Sequence, residues 1–234
     1  MYKLNGKVRY SEIDASNTLT YSALMNYFQD CSAFHSETLQ VGLEYLEKNH
    51  MTWVLSFWQI CINKLPHLGD EIVVQTWPYE MQGLYGMRNF SMNTVNGERL
   101  AYANSIWVLV DTQTGRPIRL TDDIHQFYPD EPRLEMEYCD RKISIPKEFE
   151  EKPSIPVQKY FIDTNQHVNN EKYVMLAQEF LQEDFKIREI RAEYKKAAVL
   201  NDILVPRVTK EKNSVTVLLG DANGKPYATV LFLQ

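Results

Sequence analysis

The polar run that leads into the second helical pattern of this chain is Asp163-Thr164-Asn165-Gln166-His167-Val168-Asn169-Asn170. If its first five residues are extended, the two-residue period of a strand puts Asp163, Asn165 and His167 on one side. A carboxylate, an amide and an imidazole would then face the same place. That combination suits acyl transfer or hydrolysis.

A helix is predicted directly after this run. Apolar residues recur at the spacing of one helix face, at Tyr173, Leu176, Ala177, Phe180 and Leu181. Asn169 or Asn170 is a natural N-cap. Because a helix start offers unpaired backbone N–H groups and the positive end of a dipole, it could hold an oxyanion beside the three polar side chains.

Composition and charge narrow the classes of function. The chain has 234 residues, 44% of them hydrophobic and 24% charged, which allows one large domain or two small ones of about 100 residues each. A net charge of −6 argues against broad nucleic-acid binding, because that depends on many Lys and Arg contacts to phosphates. An acidic partner would need a local basic patch.

Cysteine usage and hydropathy indicate a cytoplasmic protein. Cys31, Cys61 and Cys139 are widely separated and lack metal-binding spacing, which is typical of a reducing compartment without disulfides. The chain shows no signal-peptide pattern and no run approaching the roughly 20 apolar residues of a spanning helix. We expect no membrane span, no metal and no cofactor. We expect the protein to be cytoplasmic, unless a targeting segment has been removed.

The remaining pattern is mostly strands. Residues 9–13 are predicted to be a strand, and a helix running to about Thr38 follows from the stripe Leu24, Tyr27, Phe28 and Cys31. Further strands are predicted at 54–63, 71–79, 86–95 and 101–111. Asn96-Gly97 is a hairpin-turn signal between the last two.

The chain is predicted to be a duplicated α+β unit. Residues 129–156 carry five prolines amid many charges, which favours a linker between a unit at 1–128 and a second at 157–234. Three anchors recur in the same order, 149, 132 and 127 residues apart: Ile13-Asp14 with Ile162-Asp163, Gly69-Asp70 with Asn201-Asp202, and Asn96-Gly97 with Asn223-Gly224.

The two predicted units differ in their reactive side chains. Ser16 and Thr18 take the positions that answer to Asn165 and His167. Cys61 answers to Glu193. Only the second unit therefore keeps the full set of titratable groups.

The nine residues from Asn165 to Tyr173 closely resemble the catalytic signature of the acyl-acyl carrier protein (acyl-ACP) thioesterases of plant plastids and bacteria. Further blocks, spread over about residues 5–205, resemble other parts of that family: Trp53–Leu55, Gly69–Val73 with Thr76-Trp77, Gly83, Gly86–Arg88, Ala103–Val108 and Glu193–Lys196. A cysteine after the glutamate block has been considered a nucleophile in the family. Alanine stands there in this chain, at 197–198, which excludes a thiolate mechanism at this position.

The resemblance implies a double-hotdog fold, two tandem units each with a long helix wrapped by an antiparallel sheet. It implies hydrolysis of fatty acyl-ACP to free fatty acid, ending elongation, with catalysis in the second unit and the acyl pocket in the first. The implied catalytic residues are Asp163, Asn165, His167 and Glu193. In the preferred mechanism Glu193 and His167 act on water or position the thioester, and Asp163 is general base or nucleophile.

Substrate contacts are harder to predict. Candidates for the acyl pocket, for which core packing is an equal explanation, are Met25, Phe28, Trp53, Phe57, Met87 and Trp107. Lys195 and Lys196 are candidates to bind the acidic carrier protein. They belong to a wider set of basic residues with Lys186, Arg188, Arg191, Arg116 and Arg119, for which scattered solubilising charge is the alternative.

Several alternatives stay open. Asp163 and Asn165 could simply form a turn, and Glu193 could lie on a solvated charged face. A metal site from Asp163, His167 and Glu193 matches no standard ligand spacing. The rival functions are an acyl-coenzyme A hotdog thioesterase and a non-hydrolytic hotdog dehydratase or binding protein. The sequence does not decide the preferred length of the acyl chain, or whether the protein is a monomer or a homodimer.

Overall fold

The computed structural model describes residues 1–234, which cluster into two compact units. The first unit comprises Met1–Ser56 and Ile60–Tyr138, and the second comprises Phe57–Gln59 and Cys139–Gln234. The division at 138/139 falls inside the stretch predicted as a linker.

The first unit is a helix packed on an antiparallel sheet. Its elements are β1 (Tyr2–Lys7), α1 (Tyr21–Thr38), α2 (Leu43–Lys48), β2 (Met51–Ile62), β3 (Glu71–Gln82), β4 (Tyr85–Thr94), β5 (Arg99–Asp111) and α3 (Asp122–His125). The strand order is β1-β3-β4-β5-β2. The stripe predicted for α1 is buried, and Phe28 packs on Phe90 of β4 with ring centroids 5.3 Å apart.

The second unit repeats this plan with a shorter helix. Its elements are β6 (Glu150–Glu151), β7 (Ile155–Pro156), α4 (Asn170–Gln178), β8 (Glu189–Tyr194), β9 (Ile203–Lys210), β10 (Ser214–Gly220) and β11 (Pro226–Leu233). The order is β8-β11-β10-β9-β6, and β7 pairs with β9. The double-hotdog prediction is confirmed, although α4 has nine residues against eighteen in α1.

The second and third of the duplicated anchors have matching backbone conformations. Gly69 and Asn201 both have positive φ, 86° and 72°. Gly97 and Gly224 also have positive φ, 88° and 83°, and each closes the turn between two antiparallel strands. The duplication is therefore visible in the backbone where sequence identity is slight.

Two local predictions are wrong. Residues 10–12 form a single 3₁₀ turn rather than a strand, because the Glu12 carboxylate accepts the Arg9 N–H at 2.8 Å and the Tyr27 hydroxyl at 2.8 Å. The helix α4 ends at Gln178, so Phe180 and Leu181 lie beyond it. Acidic residues follow that end, where negative charge opposes the helix dipole.

Apart from the two-residue strands β6 and β7, the predicted linker is irregular, and it is hydrogen-bonded to the sheets. The Leu134 N–H donates to Asn89 Oδ1 of β4 at 3.0 Å, and the Ile143 N–H donates to Glu193 Oε2 of β8 at 3.1 Å. Leu134 and Ile143 are both buried. Proline and charge content predict the irregular backbone but not this packing.

A buried cation lies between α1 and the sheet of the first unit. Arg88 of β4 donates to His35 Nδ1 at 3.0 Å and to Thr76 Oγ1 at 3.2 Å, with its guanidinium 5.7 Å from the Tyr128 ring centroid. Burial lowers the pKa of Arg88 to about 10. Burial, with the positive charges of Arg88 and the N-terminus, lowers the pKa of His35 to about 3, so His35 is a neutral acceptor at pH 7.

We expect His35 to make the protein less stable in mild acid. Between pH 6.5 and 3 the unfolded chain binds a proton at this residue and the folded chain does not, so the free energy of unfolding falls as pH falls, by at most about 1.4 kcal/mol per pH unit. Urea unfolding from pH 7.5 to 4.5 should show a steeper loss for the wild type than for His35→Asn, which does not titrate. Parallel curves would contradict the assignment.

Candidate active site

The predicted catalytic run is a tight turn and not an extended segment. An antiparallel bridge between Ile162 and Val168 closes it, and the Asp163 N–H donates to the His167 carbonyl at 2.8 Å. Asp163 Oδ1 accepts the N–H groups of Asn165 at 2.8 Å and His167 at 3.3 Å. The two-residue period therefore does not apply here, and the aspartate-turn alternative describes the backbone.

The first unit contains the same turn. A bridge joins Ile13 and Leu19, and the Asp14 N–H donates to the Thr18 carbonyl at 2.9 Å. Asp14 Oδ1 accepts the N–H groups of Ser16 at 2.9 Å and Thr18 at 3.1 Å. The residue with positive φ also matches, Asn17 at 65° and Gln166 at 63°.

Comparison of the two turns shows which side chains the turn requires and which it does not. In both turns one aspartate oxygen holds the chain reversal, so Asp163 has a structural role that Asp14 shares. Ser16 and Thr18 stand in the same backbone at the positions of Asn165 and His167. Asn165 and His167, whose side chains are exposed and make no hydrogen bond, are therefore not required by the turn.

The start of α4 lies directly after the turn. Asn169 is the N-cap, as predicted, and its side chain accepts the Glu171 N–H at 3.2 Å. Its carbonyl accepts the Lys172 N–H at 3.0 Å. The cap does not use the N–H of Asn170, the first residue of the helix, which points to that group as a candidate oxyanion donor.

Glu193 lies on the other face of its strand from α4. Along β8, alternate residues face opposite sides, and the Tyr194 hydroxyl reaches the Asn170 carbonyl of α4 at 3.0 Å. The Glu193 carboxylate instead holds the Ile143 N–H and forms an ion pair with Lys195. With a side chain only 7% exposed, it is not on a solvated face.

The four predicted catalytic residues are not all joined by hydrogen bonds, and their shared role in catalysis stays a prediction. The structure brings Asp163, Asn165 and His167 together in the turn. Glu193 makes no hydrogen bond or ion pair with any of them. No three His, Cys, Asp or Glu side chains are grouped in a way that could hold a metal ion.

The predicted pocket residues divide by exposure. Met25, Phe28 and Phe57 are fully buried. Trp53, Met87 and Trp107 are partly exposed, and Trp53 lies so close to Gly86 that a Cβ there would be 3.2 Å from its ring. Core packing would explain the burial of Met25, Phe28 and Phe57 equally well. The role of all six residues in acyl binding therefore stays a prediction.

The basic residues near Glu193 are largely engaged. Lys195 pairs with Glu193, Arg191 pairs with Glu189, and the Lys196 ammonium lies 5.3 Å from the Tyr227 ring centroid. Of these, only Lys195 and Lys196 are exposed. Carrier-protein binding by these two lysines stays a prediction.

The sequence places Tyr173 on the apolar stripe of α4 and at the end of the signature that begins at Asn165, but it predicts no role for the Tyr173 hydroxyl. That hydroxyl accepts the Ala198 N–H at 2.9 Å, and the Ala198 carbonyl accepts the Val168 N–H at 2.9 Å. A hydrogen-bonded path thus joins α4 to the residue after His167. The available signal was a tyrosine at the position where the first unit has Leu24.

Comparison with known proteins gives consistent results. The family models for the acyl-ACP thioesterase N-terminal and C-terminal domains match residues 1–128 and 144–225. The chain is 30% identical to a palmitoyl-acyl carrier protein thioesterase of Cuphea hookeriana, over 74% of this chain and 45% of that one. It is 25% identical to oleoyl-acyl carrier protein thioesterase 1 of Arabidopsis thaliana, over 95% and 66%.

Solved structures show the same fold. An acyl-ACP thioesterase from Bacteroides thetaiotaomicron superposes with a TM-score of 0.89 at 21% identity, covering 99% of this chain and 96% of that one. The 12:0-ACP thioesterase from Umbellularia californica gives 0.84 at 21% identity, with the same coverage. The chain spans about half the length of the first curated relatives it matches, 43–45% for the first three, which are Cuphea proteins.

Substitutions at Glu193 should distinguish a carboxylate that binds the 129–156 segment from one that takes part in chemistry. Glu193→Ala leaves the buried Ile143 N–H without an acceptor, and we expect a loss of about 1–3 kcal/mol in the free energy of unfolding. Glu193→Gln keeps an acceptor and should retain most of the wild-type stability and turnover. Turnover that collapses in a stable Glu193→Gln protein would show that the charge itself is needed.

Proposed function

Because the chain belongs to the acyl-ACP thioesterase family, we propose that it hydrolyses the thioester of fatty acyl-ACP and releases free fatty acid, ending elongation. Acyl-ACP is then both substrate and partner. The observation that carries the proposal is the pair of matching turns. One has Ser16 and Thr18, and the other has Asn165 and His167 on the same backbone.

The difference between the turns supports chemistry in the second unit. A residue needed only for the turn would serve equally in either copy, and Asp14 and Asp163 do so. An imidazole and an amide exposed at the mouth of a turn, next to a helix start, are the groups that proton transfer and carbonyl polarisation require. Only the second unit carries them at these two positions of the turn. In the first unit the nearest imidazole, that of His67, comes from outside the turn, and its Nδ1 lies 3.1 Å from the Asn17 carbonyl and 3.4 Å from Thr18 Oγ1.

The proposed mechanism uses the oxygen of Asp163 that the turn leaves free. Oδ1 holds the turn, and Oδ2 either takes the proton of an attacking water or itself attacks the thioester carbonyl to give an acyl-enzyme anhydride that water opens. His167 gives a proton to the departing carrier-protein thiolate. Asn165 orients the carbonyl, and the Asn170 N–H stabilises the oxyanion.

The experiment that tests the function is thiol release from a panel of acyl-ACPs and the matching acyl-coenzyme A esters. We expect fast release from the carrier-protein esters. Release from coenzyme A esters alone would favour the rival thioesterase class. No release from either donor would refute the proposal.

Converting the second turn into the first should silence the enzyme without unfolding it. His167→Thr and Asn165→Ser install the residues that already support this backbone in the first unit. We expect His167→Thr to lower kcat by about 10²–10⁴-fold, with the melting temperature close to that of the wild type. If turnover persists in both variants, Asn165 and His167 are not catalytic, although the proposed hydrolysis itself would stand.

Asp163→Asn isolates the carboxylate from the turn. The asparagine amide oxygen can replace Oδ1 as the acceptor, so we expect the fold to persist and kcat to fall about 10²–10⁴-fold. Asp14→Asn is the matched control, because it makes the same change in the turn without Asn165 and His167. Equal kinetics for the two variants would limit Asp163 to holding the backbone.

Location and self-association stay predictions. We expect a cytoplasmic protein. None of the helices is both long and apolar enough to cross a membrane. Self-association is testable by light scattering during gel filtration: a molar mass near the 27.4 kDa of one chain indicates a monomer, and one near twice that value indicates the possible homodimer.

A further inference from the structure

The backbone around Ala198 is held from two sides by hydrogen bonds. The Ala198 carbonyl accepts the N–H of Val168, the residue that follows His167, and the Ala198 N–H donates to the Tyr173 hydroxyl of α4. Tyr173, Ala198 and Val168 are all buried. In this setting each hydrogen bond is shielded from water, and an unmade one would leave a buried polar group.

In the first unit the corresponding backbone hydrogen bond forms without a side-chain hydroxyl. There the N–H of Leu19, which answers to Val168, donates to the carbonyl of Pro66 at 2.8 Å. Pro66 answers to Ala198 and has no N–H to satisfy. Leu24 answers to Tyr173 and is fully buried. The pair Leu24 and Pro66 thus corresponds to the pair Tyr173 and Ala198.

This exchange changes how the carbonyl is restrained. The proline ring fixes φ covalently, whereas Ala198 has no such restraint and depends on the hydrogen bond from its N–H. Tyr173 is itself packed edge-on against Tyr194, with ring centroids 5.9 Å apart. Burial raises the pKa of Tyr173 to about 12, so the hydroxyl is protonated at neutral pH.

We propose that Tyr173 is a positioning residue of the reaction: through Ala198 it fixes Val168, and so it places the His167 side chain relative to the start of α4. This inference rests on the proposed function. Tyr173 does not touch the reacting atoms in this scheme. Its hydroxyl sets the backbone from which His167 projects.

The test uses Tyr173→Phe and the double variant Tyr173→Phe/Ala198→Pro. Tyr173→Phe leaves the Ala198 N–H without a partner, so we expect kcat to fall about tenfold or more with KM nearly unchanged, since small displacements of catalytic groups are costly. The double variant copies the first unit, where no N–H needs a partner. It should recover most of kcat.

A second readout does not depend on activity. Hydrogen exchange of the Val168 amide, followed by NMR, should accelerate in Tyr173→Phe and return towards the wild-type rate in the double variant. Tyr27→Phe is the matched control, because it deletes a buried tyrosine hydroxyl of α1 that is bonded to Glu12, in the first unit. It should lower stability and leave kcat and Val168 exchange unchanged.

The outcomes separate the two proposals. An unchanged kcat in Tyr173→Phe, or a loss that persists in the double variant after Val168 exchange has been restored, would overturn the positioning role. If the wild type releases no thiol, the proposed function fails. Val168 exchange that stays unchanged in Tyr173→Phe would then overturn the link itself.

Discussion

The site depends on one interaction, the acceptance of two backbone N–H groups by a single aspartate oxygen. Asp163 Oδ1 holds the N–H groups of Asn165 and His167, and this reverses the chain immediately before α4. A carboxylate is well suited to this role because it accepts several hydrogen bonds at once. Without it, the imidazole and the amide would have no fixed place beside the helix start.

The same interaction in the first unit serves as an internal control provided by duplication. Asp14 makes the corresponding hydrogen bonds, so the turn is a property of the repeated fold. The two turns have the same backbone conformation and differ in their side chains, which are Ser16 and Thr18 in the first unit and Asn165 and His167 in the second. Differences between the units can therefore be assigned to chemistry with less ambiguity than in a single domain.

The segment 129–156 gives the Glu193 carboxylate a structural role. Its backbone N–H groups need acceptors wherever it packs on a sheet. Asn89 supplies one to Leu134 in the first unit, and Glu193 supplies one to Ile143 in the second. Glu193 is thereby buried and paired, and its strand presents Tyr194 rather than Glu193 to α4.

The sequence by itself determined the features that depend on neighbouring residues. The stripe of α1, an N-cap at Asn169 or Asn170 and the hairpin at 96–97 follow from local spacing. Three anchors that recur in the same order indicated the duplication, and family resemblance indicated the double hotdog. Tertiary structure decided the rest, because the partners are distant in the chain. The hydrogen bond from the Tyr27 hydroxyl to the Glu12 carboxylate stabilises a 3₁₀ turn where the sequence predicted a strand. The face of β8 that meets α4, and the path from Tyr173 through Ala198 to Val168, arise only when separated segments supply each other's hydrogen-bond partners.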